Sequence, residues 1–563
     1  MQNLIEKRIG KLNFLLIVFM LVNLLQAIYT PIHEDEAYYW VYSQDLDWGY
    51  FDHPPAVALI VKISGLLFNS ILGIRFITVL LSFFVAKLVW NLIPESDRNL
   101  KNSALIYFAI LISVPGYNMY SFITTPDVPL IFSFVLYLFA LKRVIAKESI
   151  INAVFLGLTA AMLIYSKYHG GILIILSVIV QPKLLKSRTL YLGGLLALIF
   201  ITPHLYWQYK HDFISFDYHL FQRTSGAFNI ENPLGYLGST FGILNPALMV
   251  LMLLLSFKYR RFISKDDNLY FRLFWGLLIF FFFYSFRGRI EAHWVVAAFV
   301  PMVVLLHGLL VKYNKYTKGS KYIFIISISL LLIVRVALIL SPEIQKATLG
   351  KGKDYYSEIE KVVPADAKVV FFNSFQNASK YQYFFNKEAF SYNTVYYRKN
   401  QYDVENYEES FNNSKVLFKG WWNDGKLDTM RLGNGKLFRY VIIDNYTIFT
   451  KVKGNFEAFP KKLQKGEHSL SVTLHNPYDY DIDLENNDRF PLKLKLMLVN
   501  KEEKRYFVDL KYKLDKLSAK SDYEEIMSFT LGDNIPEGNY DCQIVIDYIY
   551  PQYISRKYNV EVK

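Results

Sequence analysis

Hydrophobic residues are distributed unevenly along this chain of 563 residues. Up to about residue 341 the sequence consists of long apolar runs separated by short polar loops, whereas the remainder is polar and rich in Tyr and Asn. Because a helix needs roughly 20 apolar residues to cross a bilayer, each run of that length predicts a membrane span. The runs predict about eleven spans, near 12–29, 73–93, 103–121, 128–146, 150–166, 170–182, 190–207, 234–256, 271–286, 292–311 and 322–341.

The composition supports a polytopic α-helical membrane protein. Hydrophobic residues make up 53% of the chain and charged residues only 20%, and the mean hydropathy is +0.19. A soluble protein of this length would carry more charge. The net charge of +13 would indicate a nucleic-acid partner in a soluble protein. Here the basic residues lie largely in short loops between apolar runs, so we predict a bilayer and no nucleic acid as the partner.

The placement of Lys and Arg predicts the orientation. Alternate loops contain roughly 20 basic residues on one side and about five on the other. This asymmetry predicts a cytoplasmic N terminus in the cytoplasmic (inner) membrane and, with an odd number of spans, an extracytoplasmic C-terminal region. The first apolar run is followed by a polar segment without a small-residue cleavage site, so we interpret it as a retained helix.

The pattern predicts three domains. Residues 1–342 form the transmembrane domain. Residues 343–455 mix apolar runs with a helical stretch and predict an α/β domain, and residues 456–563 alternate as in a β-sandwich. The single cysteine, Cys542, excludes an intramolecular disulfide. We interpret the C-terminal region as an acceptor- or partner-docking module, with a passive cap as the alternative.

The first long outer loop, residues 30–56, concentrates acids and aromatics. Its acids favour the N-terminal end of a helix over 34–46, which places Asp35, Tyr38 and Tyr42 on one face. One interpretation is an interfacial anchor whose acids only stabilise the helix end. The other is catalysis, because Asp35 and Glu36 directly follow a span, where charge is costly without a role.

Two further acids lie at outer ends of spans. Asp52 and His53 precede two prolines and are candidate metal or phosphate ligands, although a turn with a capping aspartate is equally compatible. The apolar stretch 56–68 after them is short for a span, and we expect a re-entrant or interfacial segment. Asp127 opens the fourth span, either as a helix N-cap or as the second acid of a shared site.

Cations and histidines on the same face could bind a phosphate. The second long outer loop, 208–233, contains a histidine and an arginine suited to metal or phosphate, and further basic residues lie at other outer ends. A solvated loop, or side chains that extend to the lipid headgroups, is the alternative for each. The candidates are His219, Arg223, Lys167, Arg287 and Arg289.

These motifs resemble those of the bacterial dolichyl-phosphate-mannose protein mannosyltransferase superfamily, glycosyltransferase family 39. Lipid A aminoarabinose transferases belong to the same GT-C group. The resemblance covers roughly residues 1–340 and lies in segments 35–39, 52–55 and 125–127 together with Arg75. Segment 398–403 also resembles the outer part of such bacterial proteins.

The resemblance implies a GT-C fold and roles for individual residues. Asp35 matches the catalytic aspartate of the first loop, and Asp127 matches a second acidic position. Asp52 and His53 occupy the place where the aminoarabinose transferases have a Glu-Lys pair near metal and lipid phosphate, and His219 resembles a metal-ligating histidine. Because His53 replaces a permanent cation, phosphate binding there could depend on metal, on Arg223 or on pH.

We therefore expect an enzyme that moves a sugar from a polyprenyl-phosphate donor by inverting displacement. In this hypothesis Asp35 is the acceptor-activating base and Asp127 and Glu36 assist. The phosphate-binding set is His53, Arg223, Lys167, Arg287, Arg289 and Tyr38, and the metal ligands are Asp52 and His219.

The sequence leaves open the cofactor, the acceptor and one alternative class of function. A divalent metal ion is the one cofactor that these residues could hold. The acceptor could be a lipid, a glycan or a protein. A polyprenyl-lipid or glycan transporter is the main rival, but it would place ionisable residues near span centres and would repeat a pair of broken helices. The sequence contains neither a glycine-rich phosphate fingerprint nor a His-Glu-x-x-His pair.

Overall fold

A computed structural model of the chain describes residues 2–222, 229–260, 263, 265–312, 317–404, 406–420, 427–433, 435–485 and 489–563. The chain forms two compact units, Met1–Lys353 and Asp354–Lys563. We call them the helical unit and the sheet unit. All the regular secondary structure described in the first unit is helical, and the second unit contains all the described strands.

Long helices alternate with short ones in the helical unit, because proline and left-handed residues interrupt several apolar runs. The α-helices are α1 (Gln2–Tyr29), α2 (Glu34–Gln44), α3 (Ala56–Leu67), α4 (Leu72–Leu92), α5 (Glu95–Arg98), α6 (Ser103–Ile112), α7 (Pro115–Met119), α8 (Asp127–Ala146), α9 (Ile150–Ser166), α10 (His169–Val180), α11 (Arg188–Phe200), α12 (Thr202–Lys210), α13 (Ile214–Asp217), α14 (Glu231–Leu244), α15 (Pro246–Lys258), α16 (Lys265–Tyr284), α17 (Phe299–Lys312), α18 (Thr317–Leu340) and α19 (Pro342–Leu349). Short 3₁₀ or π turns cover Pro182–Lys186, Tyr218–Gln222 and Ala292–Ala298.

The helices support a multi-pass membrane protein with the predicted fold class. Among the described residues, five helices are long and apolar enough to cross a bilayer, or up to seven if each of two bent pairs is one span. The five are Gly10–Tyr29, Leu72–Leu92, Asp127–Ala146, Ala292–Lys312 and Gly319–Leu340. Five shorter apolar helices, including Ala56–Leu67, accompany them. The total of about eleven crossings, and the re-entrant role of 56–68, stay predictions.

Three of the predicted spans are not single straight helices, and one of them, 190–207, bends by 46° between α11 and α12. The run 103–121 is divided before Pro115, which begins a helix of its own. The run 234–256 bends by 95° between α14 and α15. The reason is local: Asn245 has a φ of 78°, its side chain accepts from the backbone of Ala247 at 2.9 Å, and Pro246 cannot continue the preceding helix.

The sheet unit begins with an α/β arrangement and continues with mainly antiparallel strands. Its helices are α20 (Lys353–Glu360) and α21 (Phe375–Phe385), and short 3₁₀ turns cover Gln401–Asp403 and Asn406–Phe411. Its strands are β1 (Lys368–Phe372), β2 (Ala389–Tyr392), β3 (Val416–Lys419), β4 (Asp428–Arg431), β5 (Leu437–Ile443), β6 (Lys453–Phe456), β7 (Lys462–Leu463), β8 (Gly466–His475), β9 (Ile482–Asp483), β10 (Lys493–Asn500), β11 (Arg505–Asp509), β12 (Lys516–Leu517), β13 (Asp522–Leu531), β14 (Gly538–Asp547), β15 (Pro551–Tyr553) and β16 (Tyr558–Val562).

The strand order explains the change of pattern along the sheet unit. The first sheet has the order β2-β1-β3-β5-β4, with β1 parallel to both β2 and β3. Later strands form one sheet in the order β11-β10-β14-β16-β7, with β15 added beside β14, and another in the order β13-β8-β6. Parallel strands need a crossover, which α21 provides between β1 and β2. The domain boundaries predicted near 342 and 455 stay predictions.

Candidate functional site

A buried ion pair ties the first loop to two other segments of the helical unit. Glu36 and Arg75 are both fully buried, and Arg75 Nη2 and Nε donate to the two Glu36 oxygens at 2.5 and 2.8 Å. The backbone N–H of Thr124 donates to Oε1 at 2.8 Å and that of His33 to Oε2 at 2.9 Å. Although burial raises the pKa of Glu36, the charge and hydrogen bonds of Arg75 outweigh it, so the pKa is lowered. We call this pair the Glu36–Arg75 clamp.

The arginine of this clamp also closes the end of the first helix. Arg75 Nη1 donates to the carbonyls of Ala27 at 2.9 Å and Thr30 at 2.6 Å, and Nη2 donates to that of Pro31 at 2.9 Å. These carbonyls have no partner in the next helical turn, so the guanidinium satisfies them. The four hydrogen bonds to Glu36 use both of its oxygens, which leaves it little capacity to take a proton from a substrate.

Asp35, one residue earlier, is in a different environment. The helix α2 begins at Glu34 with His33 as its N-cap, in agreement with the predicted helix start. The Asp35 side chain is 42% exposed, and its nearest ion-pair partner is His33 Nδ1 at 3.9 Å. Because His33 Nδ1 accepts a hydrogen bond from the Asp35 backbone at 3.1 Å, that nitrogen carries no proton in this arrangement. Asp35 is therefore an accessible carboxylate, in contrast to the buried Glu36 beside it.

Three acids converge on Tyr39. Burial raises the pKa of the Tyr39 phenol, and the negative charges of Asp35, Asp52 and Asp127 raise it further. The Tyr39 hydroxyl lies 3.4 Å from Nε2 of His53. We call Asp35, Asp52 and Asp127, with Tyr39 between them, the acid cluster. A shared catalytic site at these residues stays a prediction.

Asp127 is held by a cation and does not cap its helix. Lys167 Nζ donates to both Asp127 oxygens, at 2.8 and 3.0 Å, and both side chains are at least 95% buried. No side-chain hydrogen bond caps the N terminus of α8. Asp127 thus forms an ion pair with Lys167, and its role as a second acid of the site stays a prediction. Lys167, placed between α9 and α10, is thereby brought to the acid cluster.

Asp52 and His219 lie next to each other, as expected for residues of one site. Tyr42 donates to Oδ1 of Asp52 at 2.6 Å, and His219 Nε2 is 2.9 Å from the Asp52 carbonyl oxygen. Since that nitrogen donates to the carbonyl, only Nδ1 of His219 could ligate a metal. The described residues contain no group of three or more His, Cys, Asp or Glu that could hold a metal ion. Asp52 and His219 would thus supply two ligands at most, and the metal stays a prediction.

The remaining predicted phosphate-binding residues are two exposed arginines, one buried tyrosine and Arg223. Arg287 and Arg289 are exposed, and Arg289 pairs with Glu291 at 3.2 Å. Neither arginine has a hydrogen bond or ion pair to the acid cluster within the part of the chain described. Tyr38 is buried and packs on Tyr42, with ring centroids 4.6 Å apart. Arg223 lies outside the described residues.

The helix α12 contributes residues that the sequence analysis did not single out. His204 Nδ1 lies 2.6 Å from the Trp48 carbonyl, and Trp207 Nε1 donates to Asp47 at 2.7 Å. Gln208 donates to the Tyr168 hydroxyl at 2.7 Å. These contacts fix the first loop against α12. Buried polar residues at i and i+4 near the end of an apolar run are the signal that could have identified them.

An apolar groove lies between helices that are close in sequence to the acid cluster. Its volume is about 650 Å³, and side chains from α3, α4, α8 and α9 line it. Asp47, Trp48 and Pro55 form part of its lining, and so do Pro129 and Ser166, close in sequence to Asp127 and Lys167. An amphiphilic molecule could therefore place an apolar chain in the groove and a charged head at the acid cluster.

Comparisons with known proteins agree with this arrangement. The family model of the dolichyl-phosphate-mannose-protein mannosyltransferases matches residues 52–207, which include Asp52, Asp127 and Lys167. The lipid A galacturonosyltransferase RgtD of Rhizobium johnstonii is 24% identical over 312 residues, 52% of this chain. The match spans 63% of the length of that relative.

Solved structures show the same fold. ArnT from Cupriavidus metallidurans in the apo state matches with a TM-score of 0.52 and 13% identity, over 76% of this chain and 97% of that protein. ArnT bound to undecaprenyl phosphate matches equally, with a TM-score of 0.52 and 13% identity over 75% and 97% of the two chains. The chain has an ArnT-like GT-C fold, and its residues 52–207 are similar to the dolichyl-phosphate-mannose-protein mannosyltransferases.

Proposed function

We propose that this chain is a glycosyltransferase that moves a sugar from a polyprenyl-phosphate donor to a hydroxyl group of an acceptor. The observation that supports the proposal is the apolar groove, whose lining includes Pro129 and Ser166, close in sequence to the paired Asp127 and Lys167. A polyprenyl-phosphate sugar has the matching shape, because its tail must stay in an apolar environment while its reacting carbon is polar. The relatives support this choice: one is a lipid A galacturonosyltransferase, and ArnT has been solved with undecaprenyl phosphate.

The proposed reaction is a direct displacement with inversion. The acceptor oxygen forms a bond to the anomeric carbon, and the bond from that carbon to the phosphate oxygen breaks, with the electron pair leaving on the phosphate. The accessible carboxylate of Asp35 takes the acceptor proton. Glu36, fully engaged with Arg75, instead fixes Asp35 relative to Thr124 and the following Asp127.

Cations near the acid cluster stabilise the departing phosphate. Lys167 Nζ lies 2.8 and 3.0 Å from the two Asp127 oxygens, and His53 Nε2 lies 3.4 Å from the Tyr39 hydroxyl. Positive groups in a site with little water are most effective where charge develops during the reaction. Arg223, Arg287, Arg289 and a divalent ion at Asp52 and His219 are further predicted contributors. A metal would add Lewis-acid stabilisation of the phosphate.

We also propose that the N terminus is cytoplasmic and that the acid cluster faces the opposite side of the inner membrane. The distribution of Lys and Arg between alternate loops supports this orientation. A transporter is disfavoured, because Asp127 is the first residue of α8 and Lys167 directly follows α9, so both groups lie at helix ends.

The proposal is tested with the purified protein in lipid vesicles. Undecaprenyl phosphates carrying mannose, galacturonic acid or aminoarabinose are offered with lipid A or hydroxyl-bearing peptides, with and without a chelator. We expect one donor to be consumed and undecaprenyl phosphate to be released only when an acceptor is present. A folded protein that binds undecaprenyl phosphate but transfers none of these sugars would speak against this donor class.

A further inference from the structure

A small polar pocket lies within the sheet unit. Its volume is about 50 Å³. The loop that follows β2 and the edge strand β15 form most of it, and Thr450 completes the lining. The residues that matter for its chemistry are Asn393, Tyr397, Lys399, Asp403, Gln552 and Tyr553.

Hydrogen bonds across the two segments hold the pocket in shape. The Val395 backbone N–H donates to the Pro551 carbonyl at 3.1 Å, and Gln552 Nε2 donates to the Asn393 carbonyl at 2.7 Å. The pocket is therefore built from a loop that is pinned to a strand, and its polar groups have fixed positions.

Neutral amides orient the one carboxylate of the pocket. Oδ2 of Asp403 accepts from the Asn400 backbone N–H at 2.7 Å and from Asn393 Nδ2 at 2.6 Å. Burial raises the pKa of Asp403 to about 6, despite the nearby charge of Lys399. A carboxyl group held in this way accepts hydrogen bonds from a neutral ligand readily, because no counter-charge occupies both its oxygens.

Gln552 presents an acceptor that the described part of the protein does not satisfy. The residue is 6% exposed, and its Oε1 is buried without a hydrogen-bond donor among the described residues. Buried polar atoms in native proteins are normally paired. An unsatisfied acceptor in the lining of a pocket thus points to a ligand or water that donates to it.

The chemistry of the lining selects one class of ligand. Amide, carboxyl and phenol groups at short spacing match the neighbouring hydroxyl groups of a sugar ring, and the rings of Tyr397 and Tyr553 can pack on its C–H face. A metal cation fits poorly because Lys399 lines the pocket, and an anion such as phosphate fits poorly because of Asp403. The pocket could hold only a few waters (about 10–15 Å³ each), so a ring would insert one edge and stay partly exposed.

We propose that this pocket binds the hydroxyl edge of a pyranose ring in a saccharide. As a holding site for an acceptor glycan it rests on the proposed function, whereas saccharide binding itself does not. Titration of the full-length protein in detergent, followed by saturation-transfer NMR, tests it with methyl α-mannoside, methyl α-galactoside and methyl α-glucoside. We expect saturable binding of at least one glycoside with a dissociation constant on the order of 1 mM.

Two variants with substitutions in the pocket test whether the glycoside binds there, and one variant with a substitution outside the pocket is the control. Gln552→Leu and Tyr397→Ala should each weaken binding about tenfold, about 1.4 kcal/mol. Tyr396→Ala should leave it unchanged, because Tyr396 lies outside the pocket with its ring 4.9 Å from the Arg505 guanidinium carbon. Thermal melting shows whether each variant is folded. If Gln552→Leu does not fold, Tyr397→Ala alone tests the site.

The outcomes separate this inference from the proposed function. No saturable binding of any glycoside, or equal binding by wild type and both pocket variants, would overturn the inference even if sugar transfer occurs. Binding that is lost in the variants while no donor is ever consumed would support the pocket and contradict the transferase proposal.

Discussion

Two buried acid–cation pairs stand close to each other in the helical unit and differ in how they are satisfied. Glu36 accepts four hydrogen bonds, two from the Arg75 fork and two from backbone N–H groups. Asp127 is held by the single ammonium group of Lys167. A guanidinium fork fixes a geometry, whereas an ammonium is a point charge on a flexible stem that can rearrange. The Glu36–Arg75 clamp is therefore a rigid scaffold, whereas the Asp127–Lys167 pair is an adjustable part of the site.

The same division appears between neighbours in the sequence. Asp35 is 42% exposed, whereas Glu36 is completely buried. Because Glu36 binds the backbone of Thr124, the Glu36–Arg75 clamp places the first loop beside the turn that leads to Asp127. The buried acid therefore provides the stability that lets the exposed acid be precisely placed and chemically available.

The largest effect is expected when the clamp is neutralised. Glu36→Gln combined with Arg75→Met removes the ion pair and leaves the carbonyls of Ala27, Thr30 and Pro31 without their donor. Each lost partner of a buried carbonyl costs about 1–3 kcal/mol. We expect the free energy of unfolding to fall by about 3–5 kcal/mol in total, which is measured as a large fall in melting temperature. A melting temperature like that of wild type would show that the Glu36–Arg75 clamp is not a structural scaffold, and would contradict the difference drawn between it and the Asp127–Lys167 pair.

Neutralising the second pair should damage transfer more than stability. Asp127→Asn with Lys167→Gln removes both charges and keeps side chains that can hydrogen-bond, which is often nearly neutral for stability. We expect the transfer rate to fall about 100-fold with a melting temperature close to that of wild type. Equal losses in both measurements would show that this pair, too, is only structural.

Filling the apolar groove should affect the donor selectively. Leu59 lines the groove, and Leu59→Trp should raise KM for the polyprenyl donor about tenfold while kcat changes little. Leu195→Trp is the matched control, because Leu195 is an exposed apolar residue of α11 outside the lining. The groove has no part in donor binding if the two variants give the same KM.

The smallest effect concerns the carboxyl group of the sheet unit. The pKa of Asp403 is raised from 3.8 to about 6, so its contribution to stability is complete below about pH 4 and is lost as the pH rises through 6. Between pH 7 and pH 5 this shift contributes about 1 kcal/mol to the free energy of unfolding. We expect the melting of the sheet unit to shift upward from about pH 7 to about pH 5, and Asp403→Asn to reduce that shift. Asp533→Asn, at an exposed position, should leave it unchanged.

Local pattern predicted the residues of the site better than their roles. The acids of the first loop, the start of α2 and the acid at Asp127 follow from charge at the end of apolar runs. Which of Asp35 and Glu36 is buried does not, because it depends on Arg75, 39 residues later in the sequence. The Asp127–Lys167 pair joins residues 40 positions apart, so the sequence pattern could not predict this pairing either.

Hydropathy alone also missed where helices break. The run 234–256 is apolar throughout, but Asn245 and Pro246 divide it, and the amide of Asn245 donates to the Ser113 carbonyl at 2.8 Å. That partner belongs to another helix, so the bend is specified by tertiary contact as well as by proline.

The most direct test of the account is the transfer rate of Asp35→Asn, measured as release of undecaprenyl phosphate and compared with Glu34→Gln. Both substitutions remove one negative charge from the first turn of α2, so their effects on helix stability should match. We expect Asp35→Asn to lose at least about 100-fold in rate at an unchanged melting temperature, and Glu34→Gln to keep most of the activity. A folded Asp35→Asn protein that transfers sugar at the wild-type rate would contradict the assignment of Asp35 as the base.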